Sequence, residues 1–144
     1  MSNKKKGSYL LIIKLDENKK IIVGKLAKID FKKGYYVYVG SAMNGLDKRI
    51  QRHLRTQKKI HWHIDYLLNQ ARIINVFFKL SNNKQECKIA KLIEEKLSVI
   101  IGFGCSDCKC KGHLFYGSHK DVRNVISKLQ MTEYELNKII YQFC

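Results

Sequence analysis

The 144-residue sequence contains no proline, and it has few acidic residues, 12 against 28 lysines and arginines. The lack of proline excludes a stiff linker, and the length fits one domain with at most a short extension. Long apolar runs are also missing, because the stretches at residues 10–13 and 76–78 are far too short to cross a bilayer. The lysines at positions 4–6 are not followed by the apolar segment of a signal peptide. We therefore expect a cytoplasmic protein without a membrane partner.

The shortage of acids leaves a formal net charge of +16 and an isoelectric point near 9.7. Residues 1–60 hold 16 basic and 4 acidic side chains, a net of +12, and residues 61–144 hold 12 and 8, a net of +4. Because 45% of the residues are hydrophobic, the chain is not a disordered basic tail. A folded domain with this polarised surplus favours a polyanionic partner, and nucleic acid is the predicted one. The alternative is that the lysines serve only solubility in a lysine-rich proteome.

Strand-like and helix-like patterns are interspersed along the chain. Segments rich in β-branched and aromatic residues predict strands, and apolar residues at helical spacing predict helices. The predicted strands cover residues 9–15, 20–26, 35–40 and 72–80, and the predicted helices cover 46–56, 84–99, 121–129 and 132–143. This order predicts an α+β fold, with a small mixed and mainly antiparallel sheet flanked by helices. We expect a basic arm over residues 1–6, a core domain over 7–118 and a helical extension over 119–144.

Two tyrosines and the helix after the second of them are candidates for a site. If the strands that carry Tyr9 and Tyr38 are neighbours, both phenols lie at one end of the sheet. Otherwise these tyrosines are half-buried packing residues. Arg49 and His53 are four residues apart, so they project from one face of the 46–56 helix and border its apolar stripe. They are either site residues or a snorkelling arginine and a buried histidine.

One carboxylate is expected to face inward on the 84–99 helix. Glu86 heads a row of that helix whose other members are apolar. An inward carboxylate needs a cation or a hydrogen-bonding partner. Its alternative role is at the helix start, because Asn83 and Glu86 have the spacing of a capping box, and the two roles can coexist. The apolar members of the row are Ile89, Ala90, Ile93 and Leu97.

Taken in chain order, these residues resemble the GIY-YIG nuclease superfamily over about residues 7–100. Gly7-Ser8-Tyr9 stands for the first motif and Tyr38-Val39-Gly40 for the second. Arg49 falls at the position of the helical arginine, His53 at a position that holds histidine or tyrosine, and Glu86 at that of the metal-binding glutamate.

Three passages are similar to a stand-alone prokaryotic GIY-YIG subfamily, some of whose members are fused to DNA-repair enzymes. They are YVYVGSA at 36–42, KIHWHIDYLL at 59–68 and GFGCSDCKCKGHLFY at 102–116. Two features depart from the usual pattern. The interval from Tyr9 to Tyr38 is longer than in most members, and Ser41 stands where repair nucleases often carry a lysine.

The resemblance implies a metal-dependent endonuclease that hydrolyses phosphodiester bonds, in DNA more than in RNA, with DNA repair or maintenance as its role and DNA-repair proteins as possible partners. One Mg²⁺ or Mn²⁺ is expected on Glu86, since these hard cations prefer oxygen ligands. Tyr9 or Tyr38 would take the proton from water, with its pKa lowered by Arg49 and the metal. Arg49 would neutralise charge at phosphorus, and His53 would relay the proton or orient the phosphate.

The basic residues on the outward side of the 46–56 helix and just after it are predicted to contact the nucleic-acid backbone, together with the arm at 1–6. Such contacts position a backbone without reading its sequence. One aromatic side chain nearby could stack on a base. Because few elements look free to read base edges, we expect cutting to be directed by DNA structure. The predicted contact residues are Lys48, Arg52, Arg55, Lys58, Lys59 and Trp62.

A cysteine-rich loop offers soft metal ligands at Cys105, Cys108, Cys110 and His113, and Cys87 could approach them. Zn²⁺ prefers thiolate and imidazole ligands, although this spacing is not that of a standard zinc finger. Buried thiols in a tight turn are the alternative. The segment at 61–65 also resembles a metal patch, with packing or substrate lining as equally good interpretations.

Two further functions remain open at this stage. A non-catalytic nucleic-acid-binding module on the same fold would share the basic surface, so charge does not separate it from an enzyme. A zinc-stabilised interaction domain would hold stoichiometric zinc and have no affinity for nucleic acid.

Overall fold

The computed structural model describes residues 5–104 and 109–136, which form eight strands and four helices in one α+β body. This confirms the predicted fold class. The strands are β1 (Gly7–Leu15), β2 (Lys19–Val23), β3 (Ala27–Phe31), β4 (Gly34–Ala42), β5 (Arg72–Leu80), β6 (Ser98–Val99), β7 (Leu114–Gly117) and β8 (Thr132–Glu133). The helices are α1 (Leu46–Leu54), α2 (His63–Leu68), α3 (Glu86–Glu94) and α4 (His119–Leu129).

Six strands form one sheet in the order β6-β7-β4-β1-β5-β8, and β2 and β3 form a separate two-stranded ribbon. Every pairing in the described part of the chain is antiparallel. In the central pair, Tyr9 is opposite Gly40 and Leu11 is opposite Tyr38. The strands that carry the two candidate tyrosines are therefore neighbours, as the first of the two interpretations required.

The strand β1 is buried on both faces, because helices cover the sheet on each side. Its odd-numbered residues, from Tyr9 to Leu15, pack into a core with α1, α2 and the β2–β3 ribbon. Its even-numbered residues Leu10 and Ile12 pack into a second core with α3 and α4. Alternating side chains of a strand point to opposite faces, so a nearly continuous apolar run such as YLLIIKL suits a strand between two helical layers.

One end of the sheet gathers the starts of several elements. The first residue of β1, Gly7, pairs with Ala42 at the end of β4 and with Leu80 at the end of β5. The chain then enters α1 directly after β4 and α3 shortly after β5. Because β1 is antiparallel to both neighbours, this end brings the two candidate motifs and two helix starts together.

Three predicted elements are wrong in extent. The predicted strand at 20–26 ends at Val23, and a turn leads into the unpredicted β3. The predicted helix at 84–99 ends at Glu94, and Ser98–Val99 pair with β7 instead. The predicted helix at 132–143 begins as strand β8, paired with the sheet edge at β5, and residues 137–144 lie outside the described part. In the second and third cases backbone pairing with a distant strand overrides a local helical pattern, and in the first a turn divides the segment into a hairpin.

Both ends of the described chain belong to the folded body. The carbonyl oxygens of Lys5 and Lys6 accept hydrogen bonds from Leu46 and Ser81, so these two arm residues are tied to the sheet end, while positions 1–4 are outside the described part. The helix α4 packs on the second core, and the hydroxyl of Tyr134 donates to Asp47 at 2.6 Å. Among the described helices, none is long and apolar enough to cross a membrane.

Candidate functional site

The hydroxyl of Tyr9 is the centre of a polar cluster at the end of the sheet where β1 starts. It lies 2.7 Å from Nε2 of His53, a residue of α1 that is 2% exposed. The guanidinium group of Arg49, one turn earlier on the same helix, is close enough for its charge to lower the pKa of this hydroxyl. Arg49 Nη1 donates at 3.1 Å to the carbonyl oxygen of Ser41, which fixes the guanidinium. The i, i+4 spacing of Arg49 and His53 thus delivers both side chains to Tyr9.

The tautomer of His53 follows from the hydrogen bonds that its ring can make. In the described part of the chain, the buried Nδ1 atom has no hydrogen-bond partner. A buried N–H group without an acceptor is rarer and costlier than a bare lone pair, so we assign the ring proton to Nε2. Nε2–H then donates to the oxygen of Tyr9. That oxygen receives a hydrogen bond from His53 and lies near the positive charge of Arg49, which is an arrangement that favours a phenolate.

The second tyrosine lies beside the first, on the same face of the sheet. The ring centroids of Tyr38 and Tyr9 are 6.4 Å apart, and that of Tyr38 is 6.1 Å from the ring of His53. The side chain of Phe103 packs on the other side of Tyr38 with a centroid distance of 6.3 Å. Tyr38 is 9% exposed and Tyr9 is 1% exposed. Tyr9 therefore has the polar partners, and Tyr38 has the greater access to solvent.

Burial opposes the lowering of the tyrosine pKa values that the resemblance implies. It raises the pKa of Tyr9 to about 12, although the charge of Arg49 partly offsets the effect. Burial also raises the pKa of Tyr38 well above its usual value, and the neighbouring Tyr9 and Glu86 add to that rise. The resemblance implied an arginine next to the phenol, but it did not contain the depth of burial that opposes ionisation.

A glycine at position 40 is required by the close approach of Tyr9. A Cβ atom on Gly40 would lie 2.5 Å from both Cζ and the hydroxyl oxygen of Tyr9. Real Cβ atoms do not come this close, so any larger residue would displace the Tyr9 ring from its hydrogen bond with His53. The glycine of the Tyr38-Val39-Gly40 motif therefore makes room for the tyrosine of the Gly7-Ser8-Tyr9 motif.

Glu86 is one of two carboxylates, with Asp65, whose charge acts on the two phenols. It is the first residue of α3, and its charge acts on both Tyr9 and Tyr38. Its side chain is 24% exposed, and Oε2 lies 3.9 Å from Nδ1 of His113. The capping box suggested by the spacing of Asn83 and Glu86 is not formed, because the N-cap residue of α3 is Gln85 and makes no side-chain cap hydrogen bond. Four of the predicted catalytic residues, Tyr9, Tyr38, Arg49 and His53, thus gather at one site within electrostatic reach of Glu86.

A buried ion pair that the sequence did not predict supports this cluster. The carboxylate of Asp65 is fully buried and accepts from both terminal nitrogens of Arg52, at 3.1 and 2.9 Å. It also accepts from the backbone N–H groups of His61 and Trp62 at 2.9 and 3.0 Å. Burial acts to raise the pKa of Asp65, but these hydrogen bonds prevail and hold it below the usual value. The segment at 61–65 therefore forms a turn in which the carboxylate of Asp65 accepts hydrogen bonds from the backbone N–H groups of His61 and Trp62.

The ion pair determines where Trp62 lies. The guanidinium carbon of Arg52 is 4.3 Å from the centroid of the Trp62 ring, and that of Arg49 is 4.5 Å from it. Arg52 therefore does not point away from the fold, as the helical wheel predicted, since Asp65 draws it inward. Stacking of Trp62 on a base stays a prediction, and two guanidinium groups already lie over its ring.

The other residues predicted to contact the nucleic-acid backbone fall into two groups, those exposed to solvent and those hydrogen-bonded within the fold. Lys48, Arg55 and Lys59 are exposed. Lys58 is half-buried, and its ammonium group donates at 2.8 Å to the carbonyl oxygens of His53 and Arg55, which closes the end of α1. Burial also lowers the pKa of Lys58. The exposed group is therefore the part of the predicted set that is available to a polyanion.

Three soft side chains form a separate cluster next to Glu86. The ligand atoms of Cys87, Cys110 and His113 all lie within 4.8 Å of one another. In the described residues this is the one group of three or more histidines, cysteines or acids with metal-binding geometry. Cys105 and Cys108, which the sequence predicted as ligands, lie outside the described residues. Cys87 comes from α3, so the sequence pattern around the loop gave only a weak signal for its participation.

The comparisons with known proteins give one match. The family model described as domain of unknown function DUF123 matches residues 8–134. The chain belongs to this family. No curated protein and no solved structure matches the sequence.

The DUF123 match extends beyond the domain boundary expected at residue 118. It includes α4, β8 and Tyr134, whose hydroxyl reaches Asp47 of α1. The described part of the 119–144 segment therefore packs with the sheet and belongs to the matched family region. The match also contains Tyr9, Tyr38, Arg49, His53 and Glu86.

The buried histidine of this DUF123 domain predicts a pH-dependent stability. Burial lowers the pKa of His53 from 6.5 to about 3, with the charge of Asp65 offsetting part of the effect. Between these two values the unfolded chain binds a proton at position 53 that the folded chain does not bind. The free energy of unfolding should therefore fall as the pH decreases below 6.5, by up to about 1.4 kcal/mol per pH unit from this residue.

Urea denaturation over this pH range measures the effect. The variant His53→Gln should show a shallower decline of stability with decreasing pH than the unmodified chain. His119→Gln is the matched control, because His119 is exposed. Equal slopes for His53→Gln and the unmodified chain would contradict a neutral buried imidazole.

Proposed function

We propose that this protein is a metal-dependent endonuclease that hydrolyses phosphodiester bonds in DNA. The observation that carries the proposal is the hydroxyl of Tyr9, which is hydrogen-bonded to His53 and lies within the electrostatic range of Arg49 and Glu86. Phosphodiester hydrolysis needs a base for water, a cation for developing charge and help for the leaving oxygen. The order of these residues along the chain also resembles the GIY-YIG nuclease motifs, which supports the same function.

The surroundings of Glu86 fit a small hard cation. Its carboxylate is partly exposed, so one oxygen can face water and a phosphate while the other faces His113. Mg²⁺ commonly uses one or two carboxylates together with waters and substrate phosphates. Glu86 would hold Mg²⁺ or Mn²⁺ in this way. When bound, the cation would stabilise negative charge on the phosphate and lower the pKa of nearby acids.

Different residues of the chain would accept the proton of the water and neutralise the charge on the phosphate. The Tyr9 oxygen accepts a hydrogen bond from His53 and lies near the positive charge of Arg49, so it is the phenol whose ionised form is supported and the better candidate for the base. The remaining N–H groups of Arg49 can hold a phosphate oxygen and neutralise charge at phosphorus. His53 stays neutral above about pH 3, so its role is to orient and stabilise the Tyr9 oxygen. Tyr38, which is the more exposed phenol, lines the approach to this oxygen.

A basic surface next to the site supports DNA as the substrate. The exposed Lys48 lies in α1, which also carries Arg49 and His53, and the exposed Arg55 and Lys59 follow this helix. Contacts of this kind attach to phosphates and weaken steeply with salt. They read no base, which agrees with cutting directed by the structure of the DNA in repair or maintenance.

Cleavage assays on flapped, branched, damaged and single-stranded DNA, each with Mg²⁺ and with Mn²⁺, test the proposal. We expect the unmodified protein to cut at least one structured substrate only with metal. The variant Tyr9→Phe should lose roughly 10²–10⁴-fold in rate, because it removes the proton acceptor and leaves the ring in place. The rate of the unmodified protein should also rise with pH, since the phenolate is the active form and burial raises its pKa.

Tyr116→Phe is the matched control for Tyr9→Phe. The hydroxyl of Tyr116 donates to the carbonyl oxygen of Lys33 at the opposite end of β4, and its loss should leave the cleavage rate nearly unchanged. Metal-independent cutting, or a Tyr9→Phe variant as active as the unmodified protein, would contradict the mechanism. DNA binding without cutting of any substrate would favour the non-catalytic module.

A further inference from the structure

The cluster of Cys87, Cys110 and His113 joins three parts of the fold. Cys87 lies in the first turn of α3, Cys110 lies in the loop before β7, and His113 directly precedes β7. His113 is 3% exposed, and both cysteines are half-buried. The proposed nuclease chemistry uses none of these three side chains, so the cluster has no role there as a reactant.

The distances suit a tetrahedral metal ion. Sγ of Cys87 lies 3.8 Å from Nε2 of His113, and all three ligand atoms lie within 4.8 Å of one another. A zinc ion with its usual Zn–S and Zn–N distances separates a thiolate sulfur and an imidazole nitrogen by about 3.6 Å. Rotation of the side chains can bring the Sγ atom of Cys87 and the Nε2 atom of His113 from 3.8 Å to about 3.6 Å. Thiolate and imidazole together select zinc over harder cations.

The backbone holds the histidine in place for this role. The N–H group of His113 donates to the carbonyl oxygen of Phe103 at 2.8 Å, and its carbonyl oxygen accepts from Val39 of β4 at 2.9 Å. Just before it, a Cβ atom on Gly112 would lie 2.4 Å from the carbonyl oxygen of Ile100, so only glycine fits there. A ligand on such a fixed backbone loses little entropy when it binds a metal.

The second nitrogen of the same imidazole faces the proposed nuclease site. Nδ1 of His113 lies 3.9 Å from Oε2 of Glu86, on the side of the ring away from Cys87. When Nε2 binds a metal, Nδ1 carries the proton, and a carboxylate is the usual partner of such an N–H group. Cys87 and Glu86 are also adjacent in the chain, so a metal on Cys87 restrains the backbone of Glu86.

We propose that Cys87, Cys110 and His113 bind a structural zinc ion, and that this ion positions Glu86 through the imidazole of His113. The zinc site stands independently of the proposed function, whereas the consequence for the nuclease site rests on it. Glu86 acts toward the zinc as an outer partner of a ligand, and it is not itself a ligand.

Metal analysis of the full-length protein tests the site without any activity measurement. We expect about one zinc per chain after dialysis against a weak chelator. Co²⁺ substituted for zinc should give the strong charge-transfer absorption of thiolate ligands. Cys87→Ser and Cys110→Ser should each lower zinc retention and weaken that absorption, and His113→Asn should lower retention. His119→Asn, at an exposed histidine, should change neither.

The zinc affinity of a Glu86 variant tests the coupling between the zinc site and Glu86. Glu86→Gln should lower zinc affinity by about 10–100-fold, because outer partners of metal-bound histidines contribute on this scale. Glu95→Gln, at an exposed position at the other end of α3, should leave the zinc affinity unchanged. Circular dichroism of each variant distinguishes lost binding from lost folding. Where a variant does not fold, chelator titration of the unmodified protein, read by the same absorption, gives the answer.

Two results would overturn the proposal. An unmodified protein that retains no zinc and gives no thiolate absorption with Co²⁺ would exclude the site. Zinc affinity that is equal in Glu86→Gln and in the unmodified protein would exclude the coupling. Neither result concerns DNA cleavage, so a failure here is distinguishable from a failure of the proposed nuclease.

Discussion

Glu86→Gln is expected to abolish metal-dependent cleavage while DNA binding is kept. The substitution preserves the size of the side chain and removes the negative charge that would hold Mg²⁺ or Mn²⁺. The cleavage rate should fall on the order of 10³-fold, the scale at which single electrostatic groups contribute to catalysis. The affinity for uncut DNA should be equal or higher, since one negative charge near the phosphate is gone. Single-turnover cleavage and a fluorescence binding titration measure the two quantities.

The control for this experiment is Glu95→Gln, which removes an equal charge at the C-cap of the same helix. It should keep the cleavage rate of the unmodified protein. Zinc content is measured in both variants, so that a loss of activity is assigned to the carboxylate only at equal zinc occupancy. Robust cutting by zinc-loaded Glu86→Gln would contradict the assignment of Glu86 to the site.

Asp65→Ala is expected to cause the largest loss of stability among the substitutions considered. Asp65 is fully buried, and its carboxylate satisfies Arg52 and two backbone N–H groups. Its removal leaves these donors without their acceptor, which costs about 3–5 kcal/mol for a broken buried pair. Arg52 would also lose the partner that holds it over Trp62. Urea denaturation at neutral pH measures the loss.

Asp16→Ala is the matched control, since Asp16 pairs with Arg72 at 3.5 Å on the surface with both side chains more than half exposed. Its loss should cost less than about 1 kcal/mol. The folded-state pKa of Asp65 lies below its usual 3.8, so its contribution is present above that value and is lost as the pH falls through the folded-state pKa. The acid sensitivity below pH 3.8 should therefore be weaker in Asp65→Ala. A loss no larger than that of Asp16→Ala would contradict the proposed importance of the pair.

Local sequence patterns predicted most of the strands and helices that carry the residues of the site. The run at 9–15 and the segment at 72–80 were predicted within a few residues, because apolar and β-branched runs are typical of strands whatever their neighbours. The spacing of Arg49 and His53 placed both on the same face of a helix. The row headed by Glu86 is buried at Ile89, Ala90 and Ile93, as its period predicted. These features depend only on the geometry of single elements.

The partners of polar residues were less predictable. Arg52 looked like an outward phosphate contact, and it is turned inward by Asp65, which lies 13 residues later. Cys87 looked peripheral to the cysteine loop, and it is one of the three converging donors. A helical wheel gives the direction of a side chain but not the charge that lies in that direction.

The sequence by itself determined the α+β class and the basic surplus, since composition and periodicity contain this information, and the residues proposed for catalysis followed from a resemblance to the GIY-YIG motifs. Only the tertiary structure decided that Tyr9 is the phenol that hydrogen-bonds His53 and lies near the charge of Arg49. Only the tertiary structure decided that burial raises the pKa of Tyr9. Only the fold placed Cys87, Cys110 and His113 together beside Glu86. Burial and long-range pairing arise from packing distant segments together, so they are properties of the folded chain and not of any single segment.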